Sequence, residues 1–388
     1  MKRIAIVASH PIQYYAPWFR DLAQQNEWKI QVFYLWNFGV FCQQDKKFQA
    51  EFAWDLPLLD GYSHEWVPNT SRQAGTHRFS GLKNPSLIQR VLQWKPDAVL
   101  FTTLFFYSPL RLLLSLRKRS IPCFFRGDSH LLAHRSLISL PVDILKNLIF
   151  RQFTACLHVG SANRDYFLAH GVSPQRLFPV PHCVNNHHFE TLTHEQNIWL
   201  KQQRSKLSLQ DDLTVFLFAG KFENKKRPVL LAEQFHSMEQ KNTRLLFVGS
   251  GHLQPHLEDL ARKDPRIHIL PFQNQSLMPA VYRLADCLVL PSFGPGETWG
   301  LCVNEAMASG IPALVSSHVG CWPDLVKHGK TGWIFQAEEP GLLRDMMKSI
   351  IADPHHRAEV ANAAQSHIHH YSYATATAGL HQALDSIL

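Results

Sequence analysis

The sequence predicts an α/β protein with parallel sheets, divided into two domains. Apolar runs typical of buried strands alternate with helical patterns along the whole chain, which is the arrangement of βαβ units. The alternation starts again at residues 214–219, after a polar segment over residues 187–210. A chain of 388 residues also exceeds one ordinary hydrophobic core and suits two domains of about 150–200 residues each.

The first half begins with an apolar segment that we interpret as a buried strand over residues 4–9. It resembles the start of a signal peptide, but the apolar run is short and residues 10–13 interrupt it without a small-residue cleavage site. The aromatic-rich connection over residues 52–62 predicts a functional loop or a packed lid. Further strands are predicted at residues 30–36, 96–101, 122–125 and 156–160, and helices at residues 16–24 and 161–170.

Two loops after strands carry candidate polar residues. The first contains Ser9-His10-Pro11-Ile12-Gln13 in place of Gly-x-Gly-x-x-Gly, which disfavours an NAD or FAD enzyme. The second contains Asp128 and His130 after residues 122–125, at the carboxyl end of a strand, where ligands of open α/β sheets bind. Asp128 and His130 are therefore candidates for polar chemistry, and a turn with a helix N-cap at Asp128 or Ser129 is the alternative.

An apolar segment over residues 137–153 predicts a helix with two alternative roles. Arg135, Lys146 and Arg151 lie in or beside it, which fits an amphipathic helix at a membrane surface. A helix packed on the sheet is the other reading, and the sequence leaves both open.

The second half contains a basic loop directly after its first strand at residues 214–219. Lys221, Lys225, Lys226 and Arg227 supply four cations within seven residues, enough to neutralise a pyrophosphate. A solvated surface loop is the alternative. Further strands are predicted at residues 244–248, 268–272, 287–290, 313–316 and 329–335, and helices at residues 277–285, 301–308 and 340–352.

The most informative stretch covers residues 289–315, a strand–loop–helix–strand unit with Glu297 and Glu305 eight residues apart. A helix beginning near Thr298 would place Glu297 at its mouth and Glu305 about two turns along. Free amides at such a mouth suit a phosphate, and the carboxylates suit the hydroxyls of a sugar or ribose. The alternative is an ordinary N-terminal carboxylate followed by a solvated one.

Glu297-x7-Glu305, followed by Ala-Met-Ala-Ser-Gly-Ile-Pro, resembles the donor-site signature of family 4 retaining glycosyltransferases, within the glycosyl transferases group 1. The resemblance implies the GT-B fold, in which two Rossmann-like, doubly wound domains face a central cleft. It implies an acceptor-side domain over residues 1–190 and a nucleotide-sugar donor domain over residues 191–372. Residues 373–388 would form a C-terminal helix that crosses back to the first domain.

The resemblance also implies roles for particular residues. Glu297 would contact the donor sugar and Glu305 the nucleotide ribose, while Lys221 and Lys226 would hold the diphosphate. Lys221 stands where the family usually has Arg, so it keeps the charge but loses the bidentate fork. The remaining implied contacts are the amides of Thr298, Trp299, Gly300 and Leu301 for the diphosphate, Phe272 and Asn274 for the base, His10, Gln13 and Arg126 on the acceptor side, and Glu297, Lys226, Asp128 and His130 as catalytic candidates.

The implied function is transfer of a sugar, with retention, from a nucleotide-diphosphate sugar to a glycan or lipid-linked acceptor in cell-surface polysaccharide or glycoconjugate biosynthesis. The nucleotide sugar is a co-substrate, and no metal or other cofactor is expected because the lysines supply the positive charge. The alternative is a catalytically inactive GT-B protein that binds nucleotides or glycans.

The charge distribution and the cysteines indicate which partners and which cellular compartment to expect. Residues 1–190 carry 21 Lys and Arg against 12 Asp and Glu, a net +9, whereas residues 191–388 carry a net −1. The basic half predicts an anionic acceptor or peripheral contact with a membrane, with a solvated face as the alternative, and no nucleic-acid module is visible. Seven scattered cysteines without a C-x-x-C pair indicate a reducing compartment. We therefore expect a cytoplasmic protein, with the inner face of the membrane as a peripheral site.

Overall fold

Two parallel β-sheets organise the protein, which we describe from a computed structural model covering residues 1–40, 43–45, 50–133 and 140–388. Each sheet is doubly wound, with hydrophobic clusters on both of its faces. Within the described ranges, no helix is both long and apolar enough to cross a bilayer.

The first sheet has seven strands in the order β5-β2-β1-β6-β7-β8-β9, all parallel. A separate antiparallel pair, β3 and β4, lies in the loop between β2 and β5. The strands are β1 Lys2–Ala8, β2 Trp28–Tyr34, β3 Gln43–Asp45, β4 Ala50–Phe52, β5 His64–Trp66, β6 Ala98–Phe101, β7 Cys123–Gly127, β8 Ala155–His158 and β9 Leu177–Pro179. The helices are α1 Ala16–Gln24, α2 Leu87–Trp94, α3 Tyr107–Arg117, α4 Leu140–Phe150 and α5 Ser161–Ala169.

The second sheet has six parallel strands in the order β12-β11-β10-β13-β14-β15. Its strands are β10 Thr214–Ala219, β11 Thr243–Val248, β12 Ile267–Leu270, β13 Cys287–Leu290, β14 Ala313–Ser316 and β15 Gly332–Phe335. The helices are α6 Asn186–Glu190, α7 His194–Lys206, α8 Pro228–His236, α9 Gln254–Lys263, α10 Met278–Tyr282, α11 Leu301–Ala308, α12 Trp322–Leu325, α13 Pro340–Ala352, α14 Pro354–Ile368 and α15 Tyr373–Asp385.

Both sheets reverse their winding direction beside the first strand of the domain. In the first sheet the reversal falls between β1 and β6, and in the second between β10 and β13. Ligands of doubly wound sheets bind outside the carboxyl ends of the strands at such switch points. The topology therefore directs attention to the loops after β1, β10 and β13.

The central strands lack an alternation of polar and apolar residues because both of their faces are buried. β10 and β13 are buried at every residue, as expected for parallel strands covered on both faces. In β1, Ile4 and Ile6 pack into one hydrophobic cluster while Ala5 and Val7 pack into the cluster on the opposite face. The N-terminal segment is thus a buried strand, as the sequence predicted.

Helix α15 packs on the first sheet after the chain has completed the second. Its residues Ala376, Leu380 and Leu384 lie in the hydrophobic cluster of β1 and β2. The indole of Trp18 donates to Thr377 Oγ1 at 3.1 Å, and that hydroxyl donates to Asp21 at 2.7 Å. The last helix therefore connects the second half of the chain to α1.

Most predicted elements exist, and their ends shift by up to three residues. Helix α1 and strands β10, β13 and β14 have the predicted bounds. The polar segment 187–210, predicted only as a connection, contains α6 and α7. Helix α7 begins with a capping box in which Thr193 and Gln196 cap each other. Of the predicted helix 137–153, the described part is α4, while residues 137–139, together with Arg135 and Cys42, lie outside the described residues.

Gly379 in α15 is expected to be irreplaceable, because a Cβ there would lie 1.9 Å from the carbonyl oxygen of Pro179. In an isolated helix, Gly→Ala stabilises by about 1 kcal/mol. We expect Gly379→Ala instead to lower the free energy of unfolding by about 1–3 kcal/mol, as for other overpacking changes, measured by urea denaturation. The matched control is Gly341→Ala in α13, where nothing lies within 4 Å of the new Cβ. Equal stability of the two variants would contradict this packing of α15.

Candidate functional site

A cleft of about 520 Å³ lies between the carboxyl ends of the two sheets, within the size range of small-molecule sites. Its walls come from loops of both domains, at the switch points that the topology indicates. The lining residues considered below are His10, Gln13, Tyr14, Tyr15, Trp54, Asp128, His182, Lys221, Lys226, Phe272, Gln275, Tyr282, Glu297, Thr298, Trp299, Gly300, Leu301, Cys302 and Glu305.

An ion pair between Lys226 and Glu297 lies at the centre of the donor-side wall. Lys226 Nζ lies 2.7 Å from Glu297 Oε2, and about a tenth of each side chain is exposed. Ser292 donates a second hydrogen bond to the same carboxylate oxygen. Burial raises the pKa of Glu297, but Lys226 and Lys225 outweigh it and hold that pKa below its usual value. Burial likewise lowers the pKa of Lys226, but Glu297 outweighs it and raises that pKa, so both groups are charged.

Glu305 is buried in a separate pocket of hydrogen-bond donors. Tyr14 donates to Oε1 at 3.0 Å, Gln275 donates to the same oxygen at 3.3 Å, and Tyr282 donates to Oε2 at 2.6 Å. Burial raises the pKa of Glu305, although these donors oppose the rise. The residue is 2 % exposed, so it is not a solvated helix residue, and its carboxylate is held in one orientation.

Helix α11 has the predicted bounds of residues 301–308, whereas the start near Thr298 that placed Glu297 at the helix mouth is wrong. The helix starts at Leu301 rather than near Thr298, because Gly300 has φ 95° and turns the chain into the helix. A Cβ at Gly300 would also lie 2.9 Å from Leu290. Glu305 is consequently one turn into the helix, not two, and the amides of Leu301 and Cys302 open the helix beside the cleft. The expectation that the amides of Thr298 and Trp299 belong to the helix start is wrong.

Asp128 faces the donor side across the cleft. Its Oδ2 accepts from the Thr298 hydroxyl at 2.8 Å and lies 3.7 Å from Nε2 of His182. Burial raises the pKa of Asp128, but hydrogen bonds from His182 and Thr298 outweigh it, so the net pKa is lowered. Asp128 is thus an ionised carboxylate that lines the cleft and also links the two domains.

His130, predicted as a catalytic candidate, lies behind the wall of the cleft. The amide of Leu132 donates to Nδ1 at 3.2 Å, which leaves Nε2 as the donor to the carbonyl of Glu297 at 3.0 Å. Burial lowers the pKa of His130, so the ring is neutral and both nitrogens are engaged by the backbone. In contrast to the predicted catalytic role, His130 is bonded to the Glu297 backbone and is not among the residues that line the cleft.

Arg126, predicted on the acceptor side, is 2 % exposed and lies beneath the cleft. Its guanidinium donates to the carbonyls of Val180 and Pro181 at 3.1 and 2.8 Å and stacks against Tyr15 and Trp18. It also approaches Nδ1 of His182 at 3.4 Å. Arg126 therefore holds the 180–182 turn and, in contrast to the predicted acceptor-side position, is not among the residues that line the cleft.

The remaining predicted residues divide between the cleft and its rim. His10, Gln13, Lys221 and Phe272 line the cleft. Asn274 does not line it, since its side chain donates to the carbonyl of Ala53 at 2.7 Å and so joins the two domains. Asn274 therefore connects the two domains beside the predicted base site and is not part of the cleft wall.

Sequence reasoning missed the residues that surround the predicted carboxylates. Tyr14, Tyr282, Gln275 and His182 line the cleft but come from four separate segments without a motif. Each is defined by a tertiary contact, so no local pattern could have identified it.

The fold and the cleft define a two-domain α/β protein with a polar, lysine-containing ligand site at the switch points of facing sheets. Residues 201–367 match the family model described as glycosyl transferases group 1. This match covers less than half of the chain, so the C-terminal part is similar to the glycosyl transferases group 1 family.

Two curated proteins are similar in sequence to part of this chain. An uncharacterized glycosyltransferase of Methanocaldococcus jannaschii is 30% identical over 171 residues, 43% of each chain. The D-inositol 3-phosphate glycosyltransferase of Corynebacterium efficiens is 30% identical over 189 residues, 46% of this chain and 44% of that protein. The matched region thus spans less than half the length of these curated relatives.

The whole fold is shared with a solved structure. HepE of Anabaena, crystallised with UDP and glucose, superposes with a TM-score of 0.73 over 100% of both chains at 17% identity. At this identity the likeness establishes the GT-B arrangement of two facing domains and nothing further.

The burial of His182 predicts a specific acid sensitivity. Burial, aided by Arg126, lowers its pKa from 6.5 to about 4. Below pH 6.5 the imidazole of His182 is protonated in the unfolded chain but stays neutral in the native state. The free energy of unfolding therefore decreases as the pH falls from 6.5 towards 4. The loss amounts to about 3 kcal/mol.

We expect the free energy of unfolding of His182→Gln, measured by urea denaturation, to decrease less between pH 7 and pH 4.5 than that of the wild type. The comparison concerns the pH dependence, not the absolute stability of the variant. His355→Gln is the control, because the side chain of His355 is 87% exposed. Parallel pH profiles for wild type and His182→Gln would contradict the buried, neutral assignment.

Proposed function

We propose that this protein is a retaining glycosyltransferase that moves a sugar from a nucleotide-diphosphate sugar to a glycan or lipid-linked acceptor. The single observation that carries the proposal is the buried Lys226–Glu297 pair, which lies between the start of α11 and the facing domain. The family similarity of the C-terminal part and the UDP-glucose complex of HepE support a nucleotide-sugar donor.

The donor side has the charges that a departing diphosphate requires. Lys221 and Lys226 line the cleft beside the first amides of α11. Positive charge and helix amides that are fixed before reaction stabilise developing negative charge without reorganisation. Lys226 would meet the leaving diphosphate, and Glu297, held by Lys226 and Ser292, would orient the sugar.

The nucleoside would lie beyond the phosphates, towards Glu305. The orientation of its carboxylate is fixed by Tyr14, Tyr282 and Gln275. Oε1 accepts two of these hydrogen bonds, whereas Oε2 accepts one and retains capacity for a further donor such as a ribose hydroxyl. Phe272 and Trp54 lie in the same wall and offer aromatic surfaces to a base.

The acceptor would approach from the first domain, where Asp128, His10 and Gln13 line the cleft. The ionised Asp128 can accept a hydrogen bond from an acceptor hydroxyl. We propose transfer on one face of the sugar, without a covalent intermediate, and name no nucleophile. The enclosed cleft would exclude water and so favour transfer over hydrolysis.

We further propose that the reaction needs no metal and takes place in the cytoplasm, during synthesis of a cell-surface polysaccharide or glycoconjugate. The lysines of the donor side supply the charge that a divalent cation would otherwise supply. Six of the seven cysteines lie in described residues and are free thiols, which fits a reducing compartment.

Lys226→Met is expected to lower the transfer rate by about 10²–10³-fold, the usual effect of losing one fixed charge-stabilising group. Glu297→Gln should impair transfer while the protein remains folded, checked by circular dichroism. Donor turnover is measured with chelator present, which also tests metal independence. The matched control is Lys263→Met, an exposed lysine of the same domain on α9. Near wild-type transfer by Lys226→Met would refute the assigned role, and complete loss of wild-type activity in chelator would refute metal independence.

Glu305→Gln is expected to reduce the preference for a ribonucleotide over its 2′-deoxy analogue. The wild type should bind the ribonucleoside diphosphate about ten-fold more tightly, since one hydrogen bond contributes about 1 kcal/mol and more when one partner is charged. Calorimetric titration with both nucleotides gives the ratio, and Glu258→Gln, on the exposed surface of α9, is the control. An unchanged ratio in Glu305→Gln would show that the ribose binds elsewhere.

Thermal unfolding against a panel of nucleoside diphosphates distinguishes the enzyme from an inactive binding protein. A selective stabilisation of about 3 kcal/mol at a hundred-fold excess over Kd, followed by donor turnover, supports the glycosyltransferase. The same shift without turnover of any matching sugar nucleotide, in the presence of candidate acceptors, would favour the inactive GT-B protein.

A further inference from the structure

Helix α4 presents its polar residues to the protein and its apolar residues to solvent. On the inner side, Asp143 lies 3.3 Å from the buried imidazole of His170 and 3.6 Å from Lys146 Nζ. Lys146 also lies over the ring of Tyr166, and Phe150 at the end of the helix is 1 % exposed. The side facing the protein therefore consists largely of charged and polar groups that are paired.

The outer side of α4 is apolar. Val142, Ile144, Leu145 and Leu148 are each 52–57% exposed. Among the described residues, no other helix carries more than one large hydrophobic side chain with comparable exposure. Helices of soluble proteins show the reverse arrangement, and an exposed apolar patch usually marks an interaction surface.

Basic residues are exposed on a helix of the same layer and just after α4. Helix α3 packs into the same hydrophobic cluster as α4, on the same face of the first sheet. The outer surface of α3 and the turn after it expose Arg111, Arg117, Lys118 and Arg119 together with Leu114, and Arg151 is exposed just after α4. Together with the net +9 of residues 1–190, this arrangement complements a negatively charged surface.

We propose that the outer face of α4, together with the basic residues of α3, docks on an anionic lipid surface. Apolar side chains would enter the boundary between headgroups and acyl chains, and the arginines and lysines would pair with the phosphates of the lipids. A second copy of this chain is disfavoured as the occupant, because two such faces would bring two basic surfaces together.

The docking surface and the cleft are connected through one crossover of the chain. The crossover between β7 and β8 contains both Asp128, in the cleft, and α4. Docking through α4 would hold the protein at the bilayer, where a lipid-linked acceptor resides. This consequence rests on the proposed function, whereas the docking itself does not.

The test is flotation of the full chain with vesicles of phosphatidylcholine alone or of equal parts phosphatidylcholine and phosphatidylglycerol. The wild type is expected to float with the anionic vesicles only, and less so at high salt. Leu145→Gln combined with Leu148→Gln should weaken binding at least about ten-fold. The matched control is Ile198→Gln combined with Leu342→Gln, two exposed apolar residues of α7 and α13, which should leave flotation unchanged.

Three outcomes would overturn the proposal: no flotation of the wild type, equal loss in both double variants, or a wild-type dimer in light scattering that Leu145→Gln with Leu148→Gln converts to monomer. The last would assign the face to a second copy of the chain. Nucleotide-dependent thermal stabilisation, measured without vesicles, should be the same in all variants. A lost nucleotide shift in the wild type would count against the proposed enzyme, and lost flotation alone against the docking surface.

Discussion

The buried carboxylates of Glu297 and Glu305 impose the constraint on which the cleft depends. An ionised carboxylate removed from water is stable only when cations or hydrogen-bond donors surround it. Glu297 obtains Lys226 and Ser292 from its own domain, whereas Glu305 requires Tyr14 from the other domain. The two sheets must therefore stand close together for the site to exist, and the crossing of α15 back to α1 helps to hold the second half of the chain there.

The sequence predicted the fold class and the donor-side motif because both are expressed locally. Strand β10 and the basic loop after it are contiguous, as are β13, Glu297 and α11, so apolar runs and spacing sufficed to find them. The same reasoning failed for Arg126 and His130. Their residue types fit a catalytic site equally well, but in the folded chain Arg126 binds two carbonyls beneath the cleft and His130 binds the Glu297 backbone. Only tertiary contacts separate such positioning residues from residues that face a ligand.

A similar limit explains the start of α11. The helix formers over residues 301–308 predicted α11 itself, but the assumed start near Thr298 was wrong, because Gly300 adopts φ 95°, a conformation that ends the loop and delays the helix to Leu301. The delay has a structural use, because it frees Thr298 to donate to Asp128 and directs Trp299 into the core near His182. Helix propensity cannot predict this conformation, because glycine adopts positive and negative φ about equally readily.

The loop that carries Glu297 and Thr298 also determines how the domains communicate. Its Glu297 carbonyl accepts from His130, and its Thr298 hydroxyl donates to Asp128, so one loop of the donor side is bonded twice to one loop of the acceptor side. Separating the domains would break both hydrogen bonds and move Asp128 away from the Lys226–Glu297 pair. A donor held by Glu297 would therefore be positioned against an acceptor held near Asp128 only when the domains are together. In the proposed reaction, the polar contacts between the domains would couple the geometry for transfer to a closure that excludes water.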